Sequence, residues 1–101
     1  MPKYYLKLFV IGRTPRSQLA IANLQSLMRH LSGAGHEFEV IDILEKPELA
    51  EQERLLATPT LIKTVPAPPV RVIGDLSDTQ AVAEALGLEL SAGHARGSSH
   101  G

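Results

Sequence analysis

Residues 4–15 read YYLKLFVIGRTP, and the architecture can be worked out from this stretch. Apolar side chains occupy both faces of residues 4–11, interrupted by Lys7, as is typical of a strand inside a sheet covered by helices. Gly12 ends the run. Thr14-Pro15 then has the form of a helix N-cap followed by proline at the first helical position. We therefore predict a buried strand that leads directly into a helix.

The following residues predict a βαβ unit. Apolar side chains recur at three- and four-residue spacing, which favours one long amphipathic helix; they are Ala20, Leu24, Leu27, Met28 and Leu31. Residues 32–35, SGAG, end this helix, and residues 37–44 predict a second interior strand. A strand, a helix and a strand of these lengths predict a right-handed crossover with parallel strands.

The second half of the chain predicts a shorter helix, a hairpin and a last helix. The second helix is expected over residues 47–57 and the hairpin strands over residues 60–65 and 70–73, separated by prolines that cannot donate to a ladder. Ser77 and Gln80 form a candidate capping box for a helix that reaches Leu86, with Gly87 as its C-terminal stop. The order β-α-β-α-β-β-α is that of the thioredoxin fold, an α/β class.

Composition limits the function. The chain has 101 residues, a formal net charge of −1 and no cysteine. We expect one domain over residues 1–90 and a disordered Gly/Ser/His tail over 91–101. A near-neutral charge argues against a nucleic-acid partner, and the N-terminal apolar run is too short to span a membrane. The absence of cysteine excludes disulfides and thiolate chemistry and fits the cytoplasm.

Candidate sites for chemistry are few. Thr14-Pro15-Arg16-Ser17 stands where a thioredoxin carries Cys-x-x-Cys, and helix capping is favoured there over anion binding. Thr58-Pro59 is compatible with a cis proline and with a trans proline that simply breaks the helix. His30 and His36 flank the first loop, while His94 and His100 lie in the tail without fixed metal geometry. We expect a binding protein with no cofactor or metal rather than an enzyme.

Several short strings in one order resemble the KaiB family of the bacterial circadian clock, over about residues 4–88. The strongest is LATPTL at residues 56–61. The others are Leu6-Lys7-Leu8 with Gly12 and Thr14-Pro15, Val40-Ile41-Asp42, Leu49-Ala50-Glu51, Pro68-Pro69-Val70-Arg71 and Ile73-Gly74-Asp75-Leu76-Ser77. From the same reading we expect Thr14, Pro15, Pro59, Gly74, Asp75, Ser77 and Ala85 to define the fold.

The resemblance implies a function that composition does not reveal. Members of this family bind the ATPase ring of KaiC, and in cyanobacteria they then sequester KaiA and displace a competing histidine kinase. They are metamorphic, with a tetrameric βαββααβ form and a thioredoxin-like monomer that is competent to bind. Ala83, Glu84 and Ala85 are good helix formers and weak strand formers. We therefore expect this chain to favour the monomer, with the tetramer as the alternative.

The resemblance also implies the partner-binding residues. Carried over to this sequence, they are Glu48, Glu51, Gln52, Arg54 and Leu55, with Lys63 and Arg71 as secondary candidates. Cyanobacterial members tend to carry a basic residue where Glu39 stands, which argues against KaiA as a partner. Two rival hypotheses remain open: a sensor module that docks on a signalling histidine kinase outside a clock, and a transferase that uses Thr14 or Ser17 to orient glutathione.

Overall fold

The structure, a computed structural model, describes residues 3–91. Within them four strands and three helices follow in the predicted order. The elements are β1 (Tyr5–Val10), α1 (Pro15–Arg29), β2 (Glu37–Asp42), α2 (Pro47–Gln52), β3 (Thr60–Val65), β4 (Val70–Ile73) and α3 (Thr79–Leu86). The predicted bounds of β3 and β4 are confirmed. The predicted tail and its two histidines, beyond residue 91, lie outside the described residues.

The sheet has the strand order β2-β1-β3-β4. β1 pairs in parallel with β2, and Leu6 lies opposite Phe38. β1 and β4 both pair antiparallel with β3, which confirms the parallel unit and the hairpin. The expectation that β2 is an interior strand is wrong: β2 lies at the edge, and Val40 is 39% exposed. Ile41 packs on one face of β2 and Phe38 is partly buried on the other, so the sequence pattern resembles that of an interior strand although one edge of β2 is unpaired within residues 3–91.

Two apolar clusters cover the two faces of β1, which explains why both of its faces are apolar. The larger cluster packs β1 against α1 and α3 through Leu6, Leu8, Leu24 and Leu86. The smaller cluster on the opposite face consists of Phe9, Ile41 and Ile62, with Ile43, Leu49 and Leu55 packed against it. The segment that connects β2 to β3 therefore rests on the smaller cluster.

Helix α1 begins as predicted. The Thr14 side chain accepts a hydrogen bond from the Ser17 N–H at 3.1 Å, and Pro15 is the first helical residue. The helix ends at Arg29, and Leu31 instead forms an isolated antiparallel bridge with Leu90. This bridge brings the segment after α3 against the end of α1.

Helix α2 is shorter than expected, because it ends at Gln52 rather than at residue 57. Arg54 adopts a left-handed backbone with φ +54°. Its N–H donates to the Glu51 carbonyl, and the Leu55 N–H donates to the Ala50 carbonyl at 3.1 Å. This pair of hydrogen bonds is a Schellman motif, which usually has glycine at the left-handed position. The chain therefore leaves the helix before Leu55.

Helix α3 ends as predicted but begins differently. Its N-cap is Asp78, whose carboxylate accepts from the Ala81 N–H at 3.1 Å, so the proposed Ser77–Gln80 capping box is wrong. The reason is local, since the Ser77 N–H donates to the Asp75 carboxylate at 3.0 Å and is held in a preceding turn. Gly87 ends the helix with φ +71°, and Ala85 lies within it.

The remaining fold-defining positions lie in the connections. The Thr58-Pro59 bond is cis, as are Val65-Pro66 and Ala67-Pro68. Gly74 has φ +130°, and the Asp75 carbonyl accepts a hydrogen bond from the Asn23 amide at 2.7 Å.

Ser91, which we expected to begin a disordered tail, donates its N–H to the His30 carbonyl at 2.8 Å. None of the described helices has the length and apolar character needed to cross a bilayer.

Candidate partner-recognition surface

Helix α2 is a surface helix with a charged outer side. Its six residues are all exposed or half-buried, and Glu48, Glu51 and Gln52 point to solvent, as does Arg54 just beyond the helix. Leu49 provides the packing of the helix against the cluster of Phe9, Ile41 and Ile62. Four of the predicted partner-binding residues thus share one exposed region.

An apolar patch formed by Ile11 and Leu56 lies beside this helix, and sequence reasoning missed it. Leu56 is 93% exposed and Ile11 is 38% exposed. A shallow pocket of about 170 Å³ is lined by Ile11 and Leu56 together with Ala50 of α2. Because α2 ends early, Leu55 packs against the smaller cluster while Leu56 is left in solvent.

The two secondary candidates differ in their surroundings. The Arg71 guanidinium donates to the Glu53 carbonyl at 3.0 Å and lies 3.8 Å from its carboxylate, so it ties β4 to the end of α2. Lys63 is only 7% exposed, and its ammonium donates to the Pro66 carbonyl at 2.9 Å. Arg71 therefore supports the α2 surface, whereas Lys63 is not accessible to a partner in this conformation.

The positions that correspond to the thioredoxin cysteines form a closed hydrogen-bond network. Ser17 is 2% exposed. Its hydroxyl donates to the Ile11 carbonyl at 3.1 Å and accepts from the Thr14 hydroxyl at 2.9 Å and from the Ile11 N–H at 3.2 Å. These hydroxyls hold the start of α1 against the end of β1. Within residues 3–91 no three acidic or histidine side chains are grouped to hold a metal ion.

The β2 edge is acidic. Glu37 and Glu39 are exposed on this strand, and Lys7 of β1 lies opposite Glu39 in the register. A hydrogen bond between Tyr5 and the Glu39 carboxylate, followed by burial and by the charges of Glu39 and Glu37, raises the pKa of Tyr5. The edge strand therefore presents negative charge where a basic residue was the family expectation.

Comparison with solved structures places the fold among thioredoxin-like proteins. The N-terminal domain of SasA from Synechococcus elongatus superimposes with a TM-score of 0.68 at 27% identity, covering 83% of this chain and 79% of that domain. Mitochondrial thioredoxin 3 from Saccharomyces cerevisiae has a TM-score of 0.67 at 16% identity, covering 84% and 77%. At that identity the second likeness concerns the fold alone.

Sequence comparison identifies the family. A family model described as the KaiB domain matches residues 7–88. The circadian clock protein KaiB3 of Synechocystis sp. is 43% identical over 90 residues, which cover 89% of this chain and 86% of that protein. The circadian clock oscillator protein KaiB of one Prochlorococcus marinus strain is 45% identical over 87 residues, covering 86% and 81%. This chain belongs to the KaiB family.

Proposed function

We propose that this chain is a clock-related regulator that binds a KaiC-type ATPase and alters its phosphorylation state or output signalling. It acts by protein–protein recognition rather than by catalysis, in the cytoplasm. Family membership supports this proposal. The structural observation that carries it is Leu56, a leucine that is 93% exposed beside a charged helix. Apolar anchors surrounded by a polar rim are typical of recognition surfaces.

The backbone of Arg54 also supports the proposal. A non-glycine residue at φ +54° carries a conformational cost, and such residues cluster at functional sites. Arg54 is exposed and lies in the chain between the end of α2 and Leu56. We assign Leu56 as the anchor and Glu48, Glu51, Gln52 and Arg54 as the polar rim. Leu55 and Arg71 position this surface from beneath and beside it, and we no longer include Lys63.

The binding form in this proposal is the thioredoxin-like monomer. Val82, Ala83 and Leu86 bury one side of α3 in the larger cluster, and this burial favours helix over strand in residues 79–86. The test is solution mass together with backbone NMR shifts at a dilute and a high protein concentration. We expect a monomer with helical shifts across residues 79–86. A tetramer with strand shifts across residues 84–90 contradicts this part of the proposal.

A second candidate partner is a signalling histidine kinase outside a clock. The N-terminal domain of SasA uses the same fold within a larger protein, so we keep a docking role on a signalling protein as the alternative. The acidic β2 edge, with Glu39 exposed, argues against KaiA as a partner. A pull-down from the host with the immobilised chain separates the candidates by whether the captured protein is a KaiC-type ATPase or a kinase.

Affinity measurements on matched variants test the main proposal. Leu56→Ser should weaken binding to the KaiC-type ATPase of the host by about five- to thirtyfold, as expected for a central apolar anchor. Val65→Ser is the control, because Val65 is also exposed, at 50%, but pairs with Tyr5 at the opposite end of β1. We expect it to change the affinity less than twofold. Equal effects of the two variants would refute the assigned surface.

A further inference from the structure

Both ring nitrogens of His36 are engaged with the backbone. Nδ1 accepts a hydrogen bond from the Tyr4 N–H at 3.0 Å, and Nε2 lies 2.7 Å from the Ser32 carbonyl oxygen. An amide can only donate and a carbonyl can only accept, so Nδ1 carries no proton and Nε2 carries one. These contacts fix the neutral ring in a single tautomer.

The two hydrogen bonds of His36 lead to the same residue, Glu89, at the C-terminal end of the fold. The Tyr4 hydroxyl accepts from the Glu89 N–H at 3.1 Å, and the Ser32 N–H donates to the Glu89 carbonyl at 2.8 Å. The Tyr4 ring also stacks on His36, with centroids 4.8 Å apart and planes inclined by 23°. His36 is therefore linked through Tyr4 to the backbone N–H of Glu89 and through Ser32 to its backbone carbonyl.

We propose that His36 is a proton-sensitive latch that holds the C-terminal segment, residues 87–91, on the first βαβ unit. Protonating Nδ1 places an N–H donor against the Tyr4 N–H donor, so this hydrogen bond is lost and the ring is displaced. The Tyr4 hydroxyl and Ser32 then hold Glu89 less firmly. Histidine changes its charge between about pH 5 and 8, so the latch opens on mild acidification.

Charges of both signs lie on the segments around the ring. Lys3, two residues before β1, extends along Gly35, where an added Cβ would lie 2.9 Å from Lys3 Cε. Glu37 follows His36 in the chain, and Glu89 belongs to the latched segment. His30, at the end of α1, has its own contact from Nδ1 to the Ser26 carbonyl at 2.8 Å.

Amide hydrogen exchange tests the latch directly. In the wild-type chain, the protection factors of the Tyr4 and Glu89 amides should fall about tenfold between pH 7.5 and 5.5, as expected for loss of one hydrogen bond and its neighbour. The Leu61 amide, in the centre of the sheet, is the internal control and should stay constant. The ring ¹⁵N shifts should report an unprotonated Nδ1 at pH 7.5.

A variant that cannot titrate completes the test. His36→Asn keeps an acceptor oxygen near the position of Nδ1, so its Tyr4 and Glu89 protection should change less than twofold over the same pH range. The proposal is overturned if wild-type protection at Glu89 is equal at both pH values. It is also overturned if His36→Asn shows the same fall as the wild type.

Discussion

The carboxylate of Asp42 accepts a hydrogen bond from the backbone N–H of Gly12 at 2.9 Å, across 30 positions of sequence. The same oxygen accepts from the Leu44 N–H, also at 2.9 Å. The segment that follows β1 and the segment that follows β2 are thus both hydrogen-bonded to one side chain, Asp42. Ile11, a member of the apolar patch, directly precedes Gly12 and is held in place by this junction.

Replacing Asp42 should therefore destabilise the fold and disturb the patch. Asp42→Ala removes an acceptor that serves two amides, and we expect a loss of about 2 kcal/mol in the free energy of unfolding. Asp42→Asn retains the oxygen and should lose about 1 kcal/mol or less. Urea unfolding of the three proteins measures both values. Equal losses in Asp42→Ala and Asp42→Asn would show that the side-chain oxygen retained by Asp42→Asn does not stabilise the junction.

Replacing Arg54 with glycine should raise stability and weaken binding at the same time. Arg54→Gly relieves the left-handed strain of the Schellman motif, so we expect the free energy of unfolding to rise by about 0.5–1 kcal/mol. The same change removes an exposed guanidinium from the rim of the proposed surface and should weaken binding to the ATPase. Arg54→Asn is the matched control, because asparagine also tolerates the left-handed backbone and carries no charge. If Arg54→Gly leaves the affinity unchanged, Arg54 is not part of the surface.

Two glycines should respond differently to alanine. Gly87 ends α3 at φ +71°, in the left-handed region, and Gly87→Ala should cost about 1 kcal/mol. Gly74 has φ +130°, which lies outside that region, so Gly74→Ala should cost more, about 1–3 kcal/mol. An added Cβ would meet no atom within 4 Å at either site. Denaturant titrations measure both costs, and a larger loss in the free energy of unfolding for Gly87→Ala than for Gly74→Ala would contradict the backbone explanation.

Tyr5 should ionise at a higher pH than an ordinary tyrosine. Glu39→Ala removes the hydrogen bond that contributes most to the raised pKa of Tyr5, so the midpoint should fall. Glu37→Gln removes only the smallest contribution and should change the midpoint little. Ultraviolet absorbance titration, with Tyr5→Phe to assign the signal, measures both changes. Equal shifts in the two variants would contradict the assigned cause.

The raised pKa of Tyr5 also has a consequence for stability. The folded chain keeps the phenolic proton to a higher pH than the unfolded chain does. The stabilisation is therefore fully present below the unfolded pKa of tyrosine. It is lost as the pH rises through the folded pKa, and Glu39→Ala should reduce this alkaline loss.

Much of the fold follows from local chemistry that can be recognised in the sequence. The apolar residues on both faces of β1 predict two covering layers, and both are present. Prolines separate β3 from β4, and the Thr14-Pro15 and Gly87 signals place the start of α1 and the end of α3. In each case the signal and the structural element lie within a few residues of each other.

Other features depend on contacts that local patterns do not encode. Strand order places β2 at the edge, although Val40, Ile41 and Ile43 together suggest an interior strand. The left-handed Arg54 ends α2 early without glycine or proline at that position, and this exposes Leu56. The Asp75 carboxylate accepts a hydrogen bond from the Ser77 N–H, and the N-cap of α3 is therefore Asp78, one residue later than predicted. The apolar patch at the candidate site was missed because the sequence does not indicate that α2 ends early and exposes Leu56.

The most direct test of the central claim is amide hydrogen exchange of the wild-type chain with and without the KaiC-type ATPase of its host. We predict increased protection over residues 48–56, which comprise most of α2, Arg54 and Leu56. Residues 33–37 and Val65, at the opposite end of β1, should be unaffected. Protection confined to those residues, or no change anywhere at saturating ATPase, would contradict the account.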